Sequence, residues 1–255
     1  MPNTLIDLSG KCALVTGGSR GIGAAVCRQL AAAGANIMIG YRTRKAEAET
    51  VAAACRSSGV KADCCAADVS TDEGAKALVD ATVGAFGVLD IFVGNAGVWP
   101  PKDVPLAEMS DDQWHRTIRE NVDSVFFTSR AVTRMIRDGG SIVLISSTAG
   151  QRGEAFHADY AASKGAVISL TKSLAVELGS RDVNVNSVAP GWVDTEMVSV
   201  AVAEEGRDRI AASIPIGRIA SADDIAGPVV FLCSSMARHI TGEILNVNGG
   251  SVLCG

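Results

Sequence analysis

The feature that most constrains the fold lies near the N-terminus, where a short apolar run meets a glycine-rich turn. Residues 12–15 have the composition of a buried strand, and Gly17, Gly21 and Gly23 follow them directly. A helical pattern comes next over residues 22–33, with apolar side chains four positions apart. Glycines let the backbone approach a pyrophosphate, and the free N–H groups of a first helical turn attract its charge. This order is therefore typical of a dinucleotide site, although a tight turn without a ligand would leave the same local pattern.

Short apolar runs alternate with helical patterns along the whole chain. Strands are predicted at residues 12–15, 36–39, 61–66, 91–93, 141–145, 184–187 and 244–247. Long helices are predicted at residues 22–33, 45–57, 72–86, 111–135, 159–178 and 222–233. Near-continuous apolar strands joined by helices indicate a sheet that is covered on both faces. We therefore predict an α/β fold, doubly wound, with a seven-stranded parallel sheet and helices on both faces. No linker divides the chain, so 1–255 is predicted to be a single domain.

Composition narrows the classes of protein to which the chain can belong. Hydrophobic residues make up 47% of its 255 residues, so it can bury a large core and is not expected to be disordered. The formal net charge of −5 argues against a nucleic-acid partner. The start has no basic segment followed by an apolar run, and no apolar stretch is long enough for a membrane span, so we expect a cytoplasmic protein. The seven cysteines form no C-x-x-C pair and are expected to be structural, which fits a reducing compartment.

A tyrosine and a lysine four residues apart, Tyr160 and Lys164, carry the strongest chemical signal, and Ser147 lies thirteen residues upstream of the tyrosine. On a helix the two positions share one face. The lysine charge is then expected to lower the pKa of the phenol from its usual value of about 10. Such a tyrosine gives a proton to a carbonyl or takes one from an alcohol. The spacing alone also occurs by chance in many helices.

Several further motifs occur in order along the chain. The full set, which includes the serine, tyrosine and lysine above, is Thr16-Gly17-x-x-x-Gly21-Ile22-Gly23, Asn95-Ala96-Gly97, Asn121, Ser147, Tyr160-x-x-x-Lys164 and Pro190-Gly191. The set closely resembles the short-chain dehydrogenase/reductases, from about Leu8 to Gly250. The resemblance implies a Rossmann-like fold and an NADP-dependent oxidoreductase acting on CH–OH donors. Within the family, the chain resembles members that prefer NADP, such as 3-oxoacyl-[acyl-carrier-protein] reductases and glucose dehydrogenases.

By this resemblance four residues carry the chemistry. Tyr160 is the acid in reduction and the base in oxidation, while Lys164 lowers its pKa and holds the nicotinamide ribose. Ser147 donates a hydrogen bond to the substrate oxygen, where charge develops, and its spacing to the tyrosine favours it over Ser146. Asn121 kinks its helix and holds a water that links the lysine to solvent.

The resemblance also implies a cofactor site. Its residues are Gly17, Ser19, Arg20, Gly21, Ile22, Gly23, Tyr41, Arg42, Asp68, Val69, Asn95, Ala96, Gly97, Tyr160, Lys164, Pro190, Gly191, Val193 and Thr195. Tyr41 stands where NAD-dependent members carry Asp, and no acidic residue lies between Gly34 and Ala46. Arg20 and Arg42 match basic positions of members that prefer NADP, and arginine binds phosphate through charge-assisted hydrogen bonds. We therefore predict NADP(H), with an exposed loop charge as the alternative interpretation of Arg42.

Two of these cofactor assignments have structural alternatives. Asp68 is expected to receive the adenine amino group beside the Val69 backbone, and its alternative is to cap the following helix. Asn95 ends a predicted strand, and its side chain has bracing of the sheet as a purely structural alternative.

On the substrate side, Trp99, His157, Trp192 and Met197 are assigned to the pocket. The two tryptophans follow the Asn-Ala-Gly and Pro-Gly motifs, whereas His157 has a plain loop position as its alternative. Residues 192–218 correspond to the mobile substrate-binding flap of the family and are expected to border the ligand crevice. No histidine has metal-ligand spacing, so no metal site is predicted.

Several functions remain open. We expect a ketoreductase for small ketones or short 3-oxo esters, because Val176 replaces an arginine that carrier-protein reductases usually have, although Arg134 keeps another basic position. The alternatives are a 3-oxoacyl-[acyl-carrier-protein] reductase, a sugar or polyol dehydrogenase, and a non-enzymatic NADP-binding sensor or scaffold. The complete set of four catalytic residues favours an enzyme. The resemblance also implies a homotetramer that is paired through the helices at 111–135 and 159–178.

Overall fold

Seven parallel strands form one sheet in the order β3-β2-β1-β4-β5-β6-β7, in a computed structural model that describes residues 6–253. The strands are β1 Cys12–Thr16, β2 Asn36–Tyr41, β3 Ala62–Ala66, β4 Leu89–Gly94, β5 Ile136–Ile145, β6 Asn184–Pro190 and β7 Ile244–Val247. Each neighbouring pair runs parallel. The predicted seven-stranded parallel sheet is confirmed.

Helices cover both faces of the sheet, as predicted. They are α1 Gly21–Ala32, α2 Lys45–Arg56, α3 Asp72–Phe86, α4 Asp111–Ile118, α5 Ser124–Met135, α6 Thr148–Arg152, α7 Ala158–Leu178, α8 Ser199–Glu205, α9 Arg207–Ala212 and α10 Ala222–Leu232. Residues of α1, α2 and α10 share one buried core, and residues of α3, α5 and α7 share the other. Successive strand side chains point to opposite faces, so Ala13 and Val15 enter the first core and Leu14 enters the second. This two-sided burial explains why the strands are apolar throughout rather than alternating.

The helix predicted over 111–135 is present, and it is interrupted at Asn121, the residue at which the resemblance implies a kink. α4 ends at Ile118, a π-helical turn spans Arg119–Asp123, and α5 begins at Ser124. Asn121 lies fully buried within the turn, and its amide bonds both the N–H and the C=O of Val98. Buried backbone groups need partners, and π-helical turns often occur where a side chain is needed at a particular place. We attribute the interruption to this contact.

The beginning of β5 also differs from the prediction, which placed a loop at residues 136–140. β5 begins at Ile136, which pairs with Leu89 before the register shifts and Ser141 pairs with Ile91. Gly139 has a φ of 76° within this irregular stretch. The strand is not evident in the sequence, because Asp138, Gly139 and Gly140 are of residue types that are depleted in strands.

Some expectations concern residues outside the described range. The absence of a targeting signal was inferred from residues 1–5, and the seventh cysteine is Cys254. Within residues 6–253 the cysteines are free, and Cys12, Cys27 and Cys233 are buried, as predicted. No helix in that range is long and apolar enough to cross a membrane.

Gly23 is predicted to be irreplaceable in the glycine-rich turn, because an added Cβ would lie 2.3 Å from Gly17 O and 2.6 Å from Asn95 Nδ2. We expect Gly23→Ala to lower the free energy of unfolding by about 1 to 3 kcal/mol, the usual range for overpacking. Gly84→Ala is the control, since a Cβ on this α3 residue meets nothing within 4 Å. Alanine there should stabilise the protein by about 0.5 to 1 kcal/mol. Denaturant unfolding followed by circular dichroism measures both changes, and a Gly23→Ala protein as stable as wild type would contradict the packing.

Candidate active site

The glycine-rich turn between β1 and α1 is held by Asn95, which follows β4. Asn95 Nδ2 donates to Thr16 O at 3.0 Å and to Gly17 O at 3.2 Å. Thr16 Oγ1 accepts from the backbone N–H groups of Asn95 and Ala96, at 3.0 and 3.1 Å. These bonds join the carboxyl ends of the two strands at which the chain order of the sheet reverses. Ligands of doubly wound folds bind in the crevice at that point, so Asn95 braces the place where a cofactor is expected.

A cavity of about 400 Å³, here called the inner cavity, opens at this crevice. It contains three of the four predicted catalytic side chains, which are Ser147, Tyr160 and Lys164. Of the predicted cofactor residues, it is also lined by Ile22, Asn95, Gly97, Pro190, Gly191, Val193 and Thr195. Tyr160 and Lys164 come from α7, whereas Ser147 precedes α6 on the neighbouring strand end. The fold thus brings the Tyr-x-x-x-Lys motif and the upstream serine to one wall.

Two adjacent serines compete for the position beside Tyr160. Ser146 Oγ donates to Val188 O at 3.1 Å and accepts from Ser187 Oγ at 2.8 Å, so its hydroxyl is engaged by β6. Ser147 Oγ caps α6 by accepting from the Ala149 N–H at 3.1 Å, and it also hydrogen-bonds with Tyr160. The serine chosen from the sequence is therefore the one that lies next to the phenol.

The expected effect of Lys164 on the tyrosine differs in the structure. Burial raises the pKa of Tyr160 to about 12, the hydrogen bond with Ser147 acts in the lowering direction, and the charge of Glu154 raises it further. Lys164 Nζ donates to Ile145 O at 2.9 Å and lies 5.8 Å from the centroid of the phenol ring. Burial also lowers the pKa of Lys164 to about 8. Desolvation of the two groups thus outweighs the attraction that their spacing suggested.

Asn121 lies behind the inner cavity rather than in its wall. Its Oδ1 accepts from the Val98 N–H at 2.7 Å, and its Nδ2 donates to Val98 O at 2.9 Å and to Ser163 Oγ at 3.0 Å. A Cβ on Gly97 would lie 3.0 Å from this Oδ1 and 3.4 Å from Lys164 Nζ. Asn121 and the lysine therefore meet at the same backbone segment, and the water that the resemblance implies between them stays a prediction.

A second cavity of about 230 Å³, here called the outer end of the crevice, adjoins the first and shares Ile22, Asn95, Gly97 and Thr195 with it. The predicted cofactor residues in its lining are Gly17, Ser19, Arg20, Gly21, Ile22, Tyr41, Arg42, Asp68, Val69, Asn95, Ala96, Gly97 and Thr195. Gly23 lines neither cavity, because it lies beneath the turn against Gly17. The predicted cofactor residues thus follow one continuous crevice.

Three arginines line the outer end of the crevice, and each is bound by a carboxylate. Arg42 Nη1 donates to both oxygens of Glu120 at 2.7 Å. Arg20 and Arg44 both bind the same oxygen of Glu196, at 2.5 and 3.2 Å. Arg44 was not predicted, although the basic run at residues 42–45 signals it. The two carboxylates carry no sequence signal, because they reach the arginines from distant parts of the chain.

Asp68 also lines the outer end of the crevice, and the capping alternative for it is wrong. Its Oδ1 accepts from Ser70 Oγ at 2.7 Å and from the Ser70 N–H at 3.1 Å, and these bonds hold the pKa of Asp68 below its usual range. Thr71 caps α3 instead, since its Oγ1 accepts from the Gly74 N–H at 3.1 Å.

Of the four residues assigned to the substrate pocket, Trp99, Trp192 and Met197 line the inner cavity, whereas His157 does not. His157 is buried behind Trp99, with ring centroids 4.8 Å apart and an interplanar angle of 17°. Trp99 meets Trp192 edge to face, with centroids 6.2 Å apart. Both tryptophans also line a third cavity of about 510 Å³, here called the vestibule, and His157 lies there. His157 thus lines the vestibule rather than the inner cavity, and its part in substrate binding stays a prediction.

Two charged residues of the inner cavity, Arg152 and Glu154, were missed in the sequence. Trp99 Nε1 donates to Glu154 Oε1 at 3.2 Å. Burial raises the pKa of Glu154, while His157 acts in the lowering direction. Arg152 ends the short helix α6, and Glu154 lies in the irregular loop between α6 and α7, where no periodicity indicates which side chains turn inward.

The segment predicted as a flap, residues 192–218, folds beside the inner cavity. It begins with a 3₁₀ turn at Glu196–Val198 and continues through α8 and α9. Ile210, Ile214 and Ile219 form a small core of their own, against which Trp192 packs. Trp192 and the arginine-bound Glu196 therefore belong to one segment.

A doubly wound sheet, a glycine-rich turn at the reversal of strand order and a Ser-Tyr-Lys set in the adjoining cavity define a nicotinamide-dependent oxidoreductase. Residues 17–251 match the protein family described as enoyl-(acyl carrier protein) reductase. The chain belongs to the short-chain dehydrogenase/reductase family. It is an oxidoreductase of that family and uses a nicotinamide cofactor.

Individual relatives agree with this assignment. The 3-oxoacyl-[acyl-carrier-protein] reductase FabG of Staphylococcus aureus is 39% identical over 242 residues, which cover 94% of this chain and 97% of the relative. A solved short-chain dehydrogenase/reductase from Serratia marcescens superposes with a TM-score of 0.90 at 40% identity, covering 96% of this chain and 98% of that one. A short-chain dehydrogenase from Burkholderia cenocepacia, solved in complex with NADP, gives a TM-score of 0.89 at 38% identity, covering 96% and 98%.

The raised pKa of Tyr160 predicts a particular titration. The chain has two tyrosines, so the difference in tyrosinate absorbance between wild type and Tyr160→Phe isolates Tyr160 from Tyr41. Because burial favours the neutral phenol and raises its pKa to about 12, we expect no difference up to pH 10 in protein without added cofactor. Circular dichroism at each pH checks that both proteins stay folded. One extra tyrosinate in wild type near neutral pH would instead support the direct lowering by Lys164.

Proposed function

We propose that this enzyme is an NADP(H)-dependent ketoreductase for small free ketones or short 3-oxo esters. One observation carries the proposal, namely that Ser147, Tyr160 and Lys164 line one cavity with two tryptophans at the inner end of the cofactor crevice. The cavity of about 400 Å³ lies in the size range of small-molecule sites. Its mixture of apolar walls and a few converging polar groups suits a small carbonyl compound.

The preference for NADP(H) rests on the charges at the outer end of the crevice. Tyr41 ends β2 and Arg42 follows it, at the place where NAD-binding domains have the acidic residue that holds the ribose hydroxyl. Three arginines line this end, and their present partners are carboxylates, Glu120 and Glu196. A phosphate group on the ribose would accept charge-assisted hydrogen bonds from the same arginine donors. The NADP complex of the Burkholderia relative supports the same cofactor.

Each of Ser147, Tyr160 and Lys164, which line the inner cavity, has a proposed role in the reaction. A bound NADPH supplies the hydride that adds to the carbonyl carbon. Tyr160 would donate its phenolic proton to the carbonyl oxygen, so that ketone, hydride and proton together give a secondary alcohol and the oxidised cofactor. Ser147 donates to the same oxygen as negative charge develops on it. Lys164, held by Ile145 O, places a positive charge beside the ring that becomes a phenolate.

Reduction of carrier-bound 3-oxoacyl chains is the second candidate, and the names of the relatives favour it. Two features of this chain support the free-ketone proposal instead. Val176 stands on α7 at the position of a usual carrier-contacting arginine, and its side chain is 86% exposed. The vestibule that leads to the tryptophan wall carries Asp103, Glu204 and Glu205, which repel an acidic carrier protein. No described contact favours a sugar or polyol in particular.

The homotetramer stays a proposal. Large apolar side chains are exposed on the helices that the family pairs between subunits, with Trp114 on α4, Phe126 on α5 and Val176 on α7. Burial of such side chains against a symmetry mate would remove apolar area from water. The pattern supports assembly through these helices.

Removal of the proposed acid gives the first test of the function. Tyr160→Phe keeps the ring in place but takes away the proton, so kcat is expected to fall by about 100- to 10,000-fold. Binding of NADPH, followed by its fluorescence, should stay within about threefold of wild type, which separates loss of chemistry from loss of the cofactor site. Activity within tenfold of wild type would exclude Tyr160 as the acid.

Cofactor preference gives the second test. Wild type is expected to prefer NADPH over NADH by at least about tenfold in kcat/KM, since hydrogen bonds to a charged group contribute about 1.5 to 3 kcal/mol each. Arg42→Asp should narrow or reverse the ratio. Lys61→Asp makes the same change of charge at an exposed residue outside the three cavities and should leave the ratio unchanged. A wild-type preference for NADH would contradict the proposal.

A further inference from the structure

A carboxylate is built into the wall between the catalytic cavity and the vestibule. Glu154 lines both cavities, and its side chain is only 27% exposed. Its Oε1 accepts from Trp99 Nε1 at 3.2 Å and lies 3.7 Å from His157 Nδ1. Arg152, which lines the same inner cavity, also acts in the direction that lowers its pKa. A half-buried carboxylate with so few partners is costly, because burial disfavours its charge, and a cation in either cavity would offset that cost.

The neighbours of this carboxylate are aromatic. Trp99 and Trp192 line the same two cavities and meet edge to face at 6.2 Å. Tryptophan is the side chain whose ring attracts cations most strongly, and a pair of such rings beside a carboxylate recurs in sites that bind ammonium groups. Aromatic walls alone would suit any apolar substrate. Glu154 adds a negative charge to these walls on the side of the vestibule, whereas Arg152 and Lys164 line the catalytic cavity at its other walls.

The vestibule, which leads to Trp99 and Trp192, is also negatively charged. The vestibule is lined by Asp103, Glu154, Glu204 and Glu205, against the single formal positive charge of Lys102 among its lining residues. Asp103 Oδ1 lies 3.8 Å from His157 Nδ1, so it belongs to the same cluster behind Trp99. A cavity lined by one sign of charge concentrates ligands of the opposite sign. Cationic substrates are therefore attracted, and anionic ones are repelled, before they reach the tryptophans.

We propose that the substrate is an amino ketone, a ketone that carries an ammonium group, and that Glu154 with Trp99 and Trp192 binds this group while the carbonyl lies at Tyr160 and Ser147. This inference rests on the proposed ketoreductase function and names its substrate class. The reduction itself is unchanged, and the product is the corresponding amino alcohol. Glu154 is then a residue that determines specificity rather than one that takes part in proton or hydride transfer.

The charge of such a substrate also acts on the proton donor. The carboxylate of Glu154 is close enough to Tyr160 to raise the pKa of the phenol. An ammonium group beside Glu154 would compensate this effect, so the phenol gives up its proton more readily when the cation is bound. A cationic substrate is thus expected to gain in kcat as well as in KM.

The experiment compares methyl ketones that end in a trimethylammonium group with neutral isosteres that end in a tert-butyl group, over a series of spacer lengths. The two groups have nearly the same shape, and the ammonium charge does not depend on pH. With NADPH, kcat/KM of wild type for the best cationic ketone is expected to exceed that of its neutral isostere by about tenfold or more. A methyl ketone that ends in a carboxylate should be the poorest substrate of the three.

Two variants separate the charge of Glu154 from its packing. Glu154→Gln keeps the size of the side chain and removes its charge, so the ratio of cationic to neutral kcat/KM should fall by about tenfold. Glu73→Gln is the matched control, because Glu73 is exposed at the start of α3 and lines none of the three cavities, and it should keep the wild-type ratio. Thermal unfolding of each variant shows whether it is folded under the assay conditions.

The outcomes distinguish the two proposals. If no ketone in the series is reduced with NADPH, the ketoreductase function itself fails. If wild type reduces the neutral isosteres as well as the cationic ketones or better, the ketoreductase function stands and the amino-ketone proposal is overturned. That comparison needs no variant, so it decides the question even where Glu154→Gln does not fold. A cationic preference that survives Glu154→Gln in the folded protein would also overturn the role assigned to this carboxylate.

Discussion

The tie between Asn95 and Thr16 is the interaction on which the rest of the site depends. It joins the ends of β1 and β4 through four hydrogen bonds of 3.0 to 3.2 Å, at the place where helices depart to opposite faces of the sheet. Because backbone groups in the turn are satisfied by this amide, the turn can stay open toward the crevice without a helix closing over it. Gly23 then packs directly beneath, where a side chain has no room. The crevice is therefore a property of the core of the protein and not of a surface loop.

A second theme is that charged groups in the crevice are matched by the protein itself. Arg20, Arg42 and Arg44 are held by carboxylates in the outer half, while Lys164 is held by a backbone carbonyl in the inner half. Such pairing keeps the positive charges in place and limits the cost of gathering them. Glu154 differs, because its closest neighbours are an indole N–H and an imidazole. Glu154 is thus a carboxylate of the inner cavity without a cation in direct contact, and this distinguishes it from Glu120 and Glu196.

The sequence was sufficient for most of the fold, because two-sided burial makes each strand apolar throughout and short turns separate strand from helix. It failed where a contact over a long distance decides the local structure. The resemblance implies a kink at Asn121 in the helix at 111–135, but it does not give the π-helical turn, in which Asn121 binds Val98, 23 residues away. In the same way Glu120 binds Arg42 across 78 residues and Glu196 binds Arg20 across 176 residues. No local sequence pattern near either glutamate predicts these pairs. Motifs located the side chains that we propose as catalytic, but the pKa values of Tyr160 and Lys164 depend on burial, which spacing does not encode.

Glu196 has one consequence that follows from its place in the chain. It lies four residues after Trp192 in the same segment, yet its oxygen is bound by two arginines at the far end of the crevice. An anion that binds Arg20 and Arg44 would compete with this carboxylate for the same N–H donors, and its binding would loosen the segment. By thermodynamic reciprocity, whatever draws the segment toward the arginines would weaken the binding of that anion to the same degree. A single side chain would in this way couple the two ends of the crevice.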